Sequence, residues 1–207
     1  MSIKAVVFDY GGVISFPPSS ETEAELAKLT GLPADILREL NRKHRDEWDR
    51  GTLSGIEYYK DILSHKGVFL DADSLARIVQ TDIDGWKRMN SATLQLMRDT
   101  KLARLTLGIL SNMPNEFYEW AKDTLSIFSE AGVVVASCEY NIIKPEQGIY
   151  EKLKEKLNCE YEEIIFFDDT AVNVEKAVEL GIHGFLWEGP ESARKHLLDM
   201  GQVLRLI

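Results

Sequence analysis

The 207-residue chain is 44% hydrophobic and 28% charged, with a formal net charge of −10; it is long enough to bury one large core, or a core with a smaller insertion, and its apolar runs are no longer than strands. That negative field argues against a general nucleic-acid or anionic-membrane binder, while an anionic small molecule remains acceptable where local cations or a metal reverse the potential. Two cysteines, Cys138 and Cys159, without Cys-x-x-Cys spacing, and a start (MSIKAVVFDY) without a signal-peptide apolar region are expected of a cytoplasmic chain with reduced thiols.

In chain order, KAVVFDY reads as a buried strand that delivers Asp9, followed by Tyr10, Gly11 and Gly12. From Pro17 to Asn90 the pattern changes to amphipathic helical stretches, ETEAELAKLTG, PADILRELNRKHRDEWDRG, SGIEYYKDILSHKG and DADSLARIVQTDIDGWKRMN, with no convincing buried strand. Strands then alternate with helices: helix Ser91 to Arg104, strand LTLGILSN, helix Asn115 to Phe128, strand GVVVASCEY, helix Glu146 to Leu157, strand EIIFFDD, helix Ala171 to Leu180 and strand GFLW. The strands are Val-, Ile-, Leu- and Phe-rich with little alternation, as expected when helices cover both faces of a parallel sheet. The reading is an α/β core, a Rossmann-like doubly wound parallel sheet over 1–16 and 91–207, with an all-helical domain at 17–90 inserted after the first strand. The C-terminal ESARKHLLDMGQVLRLI reads as a last helix and a tail packed on the core.

Polar residues recur where these strands end: Asp9; Ser111 and Asn112; Lys144 after the GVVVASCEY strand; Asp168 and Asp169. Ligands of open α/β sheets bind beyond the carboxyl ends of the strands. Singly, these residues suit turns and helix caps. Together, an acid, a hydroxyl, a lysine and an acid pair at successive strand ends read as one site. His65, His183 and His196 lack metal-ligand spacing. Trp48 reads as a core residue of the helical segment, and Tyr10 as a residue at the entrance of the site or packed under that segment. Arg42, Lys43, His44, Arg45 and Arg50 make one helical stretch locally basic.

FDYGGVI, LSN, IKP and FFDDTAVN resemble, in order and spacing, the four motifs of the haloacid dehalogenase-like hydrolases, and the 17–90 segment resembles the C1 cap of their subfamily I. The resemblance implies that Asp9 attacks phosphorus and forms an aspartyl-phosphate, with Ser111 and Lys144 completing the catalytic set. It implies substrate contacts from Tyr10, Gly11, Gly12, Ser111, Asn112 and Lys144, and Mg²⁺ held by Asp9, Gly11, Asp168 and Asp169. Asn173 stands where many relatives carry another acid. The implied substrate is a small phosphorylated metabolite, such as an anomeric sugar phosphate, and the chain is expected to be a monomer or homodimer.

One position departs from the usual pattern. Two residues beyond the nucleophile, most phosphatases of the family carry an aspartate that protonates the leaving group; here it is Gly11, as in the D-x-G-N-V type, although Gly12 replaces that pattern's asparagine. Losing a general acid costs roughly 10²- to 10⁴-fold unless something replaces it. His44, Arg45 and Glu47 are candidates for that role by composition only, and an aspartate introduced at position 11 is expected to raise turnover on poor leaving groups. A 2-haloacid dehalogenase is one alternative, disfavoured because adjacent acids such as Asp168 and Asp169 need a cation. A weakly catalytic binding or regulatory module is another, disfavoured because a scaffold has no use for all four polar clusters.

Overall fold

The structure, a computed structural model, describes residues 2–201; the tail expected to pack on the core lies beyond them. Five parallel strands, β1 (Ala5–Phe8), β2 (Thr106–Ser111), β3 (Val133–Ala136), β4 (Ile164–Asp168) and β5 (His183–Leu186), form one sheet in the order β3-β2-β1-β4-β5. All of β1 and β4 is buried, which explains their unbroken apolar character. Alternate residues serve opposite faces: Val6 and Phe8 pack with Leu96, Phe117 and Leu197, whereas Ala5 and Val7 pack with Ile149, Leu153 and Ala177. The helices behind those residues are α6 (Ser91–Leu102), α7 (Asn115–Thr124) and α12 (Pro190–Asp199) on the first face, α10 (Gln147–Leu157) and α11 (Ala171–Glu179) on the second. The doubly wound sheet follows directly.

Helices α1 (Ser20–Thr30), α2 (Ala34–His44), α3 (Asp46–Asp49), α4 (Gly55–Ser64) and α5 (Ala72–Gly85) lie between β1 and α6. Their starts are set locally. Ser19 and Asp71 accept backbone N–H bonds at the N-termini of α1 and α5, and Ser54 and Glu57 form a reciprocal capping box at α4. Its apolar residues join the buried cluster on the first face of the sheet, and there Trp48, fully buried as expected, stacks on Tyr58 at 4.9 Å. Chain entry and exit run side by side: Phe16 N–H donates to the Arg88 carbonyl at 2.8 Å and Asn90 N–H to the Ile14 carbonyl at 2.9 Å.

Three expected elements are shorter or broken. The strand read through GVVVASCEY stops at Ala136, because β2 offers no partner beyond Ser111, and α9 (Ser137–Tyr140) follows. The helix read from Asn115 to Phe128 breaks at Leu125, whose extended backbone (φ −92°, ψ 114°) lets α8 (Ser126–Glu130) bury Ile127 and Phe128. The helix read through PADILRELNRKHRDEWDRG is divided at Arg45 into α2 and α3. Cys138 and Cys159 are buried free thiols, and among the described residues no helix is long and apolar enough to cross a membrane.

Candidate active site

The central strand ends on Asp9, whose N–H donates to the Phe167 carbonyl at 2.9 Å and so continues the pairing with β4. Its carboxylate Oδ1 accepts from the Tyr10 N–H at 2.6 Å and faces Lys144 Nζ at 2.9 Å. Lys144 enters from the loop after α9. Its side chain is 1% exposed, and it also reaches Asp168 Oδ2 at 2.6 Å and the Leu110 carbonyl at 3.0 Å. The buried ammonium therefore bridges two carboxylates across three strand ends. Asn112 holds that loop by a two-point contact, donating to the Lys144 carbonyl at 3.0 Å and accepting the Lys144 N–H at 2.8 Å.

Asp168 is fully buried and saturated with donors. Oδ1 takes the Thr170 N–H at 2.8 Å and Asn173 Nδ2 at 3.1 Å; Oδ2 takes Lys144 and the same Asn173 nitrogen at 3.1 Å. Asp169, the next residue, is exposed at the rim. Gly12 makes room for it: the backbone there has φ +73°, and a Cβ would stand 2.1 Å from Asp169 Oδ2. Only glycine meets both demands. One carboxylate oxygen each from Asp9, Asp168 and Asp169 lie within 4.8 Å of one another. An all-oxygen donor set of this charge suits a hard divalent cation.

Electrostatics distinguish these groups. Burial pushes the Asp9 carboxyl up to about 7, against the pull of Lys144 and helped by the charge of Asp168. Burial works against the Lys144 charge, but Asp168 and Asp9 outweigh it and lift the ammonium above its ordinary range. Asp169 is raised by burial and then by neighbouring Asp168. A cation placed among the acids would offset the charge of Asp9 and Asp169, the two carboxyls that burial raises. Ser111 is 2% exposed at the end of β2, with its Oγ 3.5 Å from the Asn112 carbonyl, too long for a firm hydroxyl bond.

Gly11 lies under an aromatic wall. A Cβ built on it would meet the Trp86 ring at 3.1 Å, so the place of the missing second acid is covered by an indole from the end of α5. Tyr10 packs beneath the same segment: its hydroxyl donates to the Trp86 carbonyl at 3.1 Å, and its ring lies 5.0 Å from that of Phe117. Above these residues a cavity of about 720 Å³ runs from Ser111, Asn112 and Asp169 up to the inserted helices.

Of the basic stretch, only Arg42 and Arg45 line that cavity. Arg45 is held between Asp49 at 3.0 Å and Asp82 at 2.8 Å, over the Trp48 ring. Lys43 pairs with Glu39, His44 rests against His65, and Arg50 binds Glu146 at 2.6 Å. Glu47 accepts from the Thr52 hydroxyl. Neither His44 nor Glu47 faces the cavity, and Arg45 is committed to two acids, so the replacement proton donors expected by composition are not in place. The sequence reading missed Trp86 and the Asp168–Asn173 contact. No local signal marks Trp86, since its partner Gly11 is distant in the chain; Asn173 was visible only as an unusual residue after the acid pair.

The inserted segment is bolted to the core beside this site. Glu116 of α7 accepts from Trp48 Nε1 at 3.0 Å and from the Gly55 N–H at 2.7 Å, Asn141 Nδ2 donates to the Arg50 carbonyl at 3.0 Å, and the Ser137 hydroxyl donates to the Asp49 carbonyl.

Comparison with known proteins places this geometry among relatives. The chain is 27% identical over 222 residues to Phosphatase MT3486 of Mycobacterium tuberculosis, covering 99% of this chain and 98% of that protein. It superimposes with a TM-score of 0.72 on a magnesium complex of the HAD family enzyme bt-2542 of Bacteroides thetaiotaomicron (20% identity; 90% of this chain, 94% of the other). With the L-2-haloacid dehalogenase of Xanthobacter autotrophicus the TM-score is 0.66 at 20% identity, covering 95% and 83%. The family model for haloacid dehalogenase-like hydrolases matches residues 3–181, and the chain belongs to that hydrolase family.

Proposed function

We propose that this hydrolase is a Mg²⁺-dependent phosphatase that acts on a small phosphorylated metabolite through an aspartyl-phosphate on Asp9. The observation that carries the reading is the set of three carboxylates at adjoining strand ends, their oxygens within 4.8 Å of one another, with Lys144 bridging Asp9 and Asp168. A dehalogenase displacing halide has no need for so concentrated an acidic cluster, whereas a nucleophilic carboxylate approaching a phosphate must have countercharge.

The oxygens of Asp9 and Asp169 and the Gly11 carbonyl would hold the metal; Asp168, its acceptor positions filled, supports Lys144 instead. When bound, Mg²⁺ supplies the positive charge that lets the two anions meet. Both protein partners of the Asp9 carboxylate sit on Oδ1, so among the described residues Oδ2 is the oxygen left to attack. A bond forms from Asp9 Oδ2 to phosphorus as the ester P–O bond breaks, and the leaving oxygen departs with that electron pair. Gly11 offers it no proton, so protonation falls to solvent. Ser111 and Lys144 hydrogen-bond the phosphoryl oxygens, and water then cleaves the aspartyl-phosphate to release inorganic phosphate and restore Asp9. The 17–90 helical segment serves as the cap, in the manner of the C1-capped, D-x-G-N-V type enzymes, and closes over the body of the substrate.

The test is release of phosphate from para-nitrophenyl phosphate with Mg²⁺ or with excess chelator. Chelation and Asp9→Asn should each lower turnover by roughly 10³-fold or more. Halide release from 2-chloropropionate without metal, with no phosphate released, would overturn the reading.

A further inference from the structure

We propose that the phosphate monoesters taken by this site carry a bulky hydrophobic alcohol, the phosphate lying at Asp9 and the carbon body filling the cavity beneath the inserted helices; this deepens the phosphatase reading and rests on it. The cavity, about 720 Å³, is of the size that encloses a drug-sized ligand, ~300–1,000 Å³. A phosphate at the strand ends occupies a small part of it, so the alcohol must fill the remainder. Above the strand ends the walls present carbon from Trp86, Phe117, Leu26, Leu37, Ile83 and Pro18, set among charged and amide side chains of the inserted helices.

Most of the polar groups around that space are occupied with one another. Arg45 is bound by Asp49 and Asp82, and Asp82 also accepts the Tyr59 hydroxyl at 2.5 Å. Arg38 pairs with Glu23 at 2.8 Å, and the Asn41 side-chain Oδ1 accepts the Tyr58 hydroxyl at 2.7 Å. Arg42 is exposed. A sugar carrying several hydroxyls would leave water here for few free partners, and each hydroxyl left unpaired disfavours binding. An alkyl, terpenyl or aryl body loses nothing polar and gains from burial. The indole over Gly11 adds to the selection. It replaces a polar catalytic side chain beside the leaving group with an aromatic face, against which carbon packs better than hydroxyls do.

The probes are non-hydrolysable: n-alkylphosphonates from methyl to octyl, and the phosphonate analogue of glucose 6-phosphate, titrated calorimetrically into the full chain with Mg²⁺. Affinity should tighten about three- to fourfold per added methylene until the cavity is filled, and octylphosphonate should bind more tightly than the sugar analogue. A flat series, or tighter binding of the sugar analogue, overturns the proposal. Turnover of para-nitrophenyl phosphate, measured separately, distinguishes the two readings. Turnover with a flat series removes this inference alone; a steep series without turnover removes the phosphatase reading and shows the cavity preference to be real.

Discussion

Lys144 is buried between Asp9 and Asp168, and its removal leaves both carboxylates without their shared countercharge. Lys144→Met should cost about 3–5 kcal/mol of stability, the range for breaking a buried ion pair from one side. Measured by urea unfolding of the metal-free protein, the loss should shrink when Asp9→Asn removes one of the stranded charges; additive losses would contradict the bridging role. Gly11 gives a sharper case. The sequence alone argues that an aspartate there raises turnover on poor leaving groups. With Trp86 3.1 Å from the new Cβ, Gly11→Asp by itself should leave turnover unchanged or lower, and Gly11→Asp with Trp86→Ala should raise it on alkyl phosphates by about 10-fold or more. An increase from the single change would show that the indole does not hold the slot. The convergence of Asp9, Ser111, Lys144, Asp168 and Asp169 was legible because each lies at or beyond the end of a strand whose apolar run is local. Trp86 was not, because its meaning depends on a contact made only after the insertion folds back over β1.

At the scale of elements, strand identities could be read from β-branched runs, but their ends depended on neighbours: β3 stops where β2 ceases to pair with it, which no window of sequence reveals. Helix starts in the insertion were encoded by caps such as Ser54 with Glu57, whereas the break at Leu125 serves the burial of Phe128 against Tyr10, 5.8 Å between rings. The contact between α7 and the insertion was invisible beforehand, since Glu116 looks like any first-turn acid. Glu116→Ala removes the acceptor of both Trp48 Nε1 and the Gly55 N–H, and should cost about 2 kcal/mol, given charge-assisted bonds that are only partly buried. Hydrogen exchange should accelerate across residues 48–55 while β1 and β4 keep their protection. Uniform acceleration, or none, would mean that Glu116 does not latch the insertion.

For the whole molecule, a chain of net charge −10 concentrates three acids at one end of its sheet, places a buried lysine among them and covers the opening with helices. Of the strand-end residues that assemble there, Asp9 has the central strand's position and the open oxygen. On the proposed mechanism this oxygen becomes covalently phosphorylated. Rapid acid quench of the Mg²⁺-loaded protein with a phosphate ester labelled in its phosphoryl group, followed by peptide mapping, tests it directly. The label should appear on the peptide containing Asp9 within one turnover and disappear as inorganic phosphate forms. Phosphate release with no label on the protein, or with the label on another residue, would rule out Asp9 as the nucleophile.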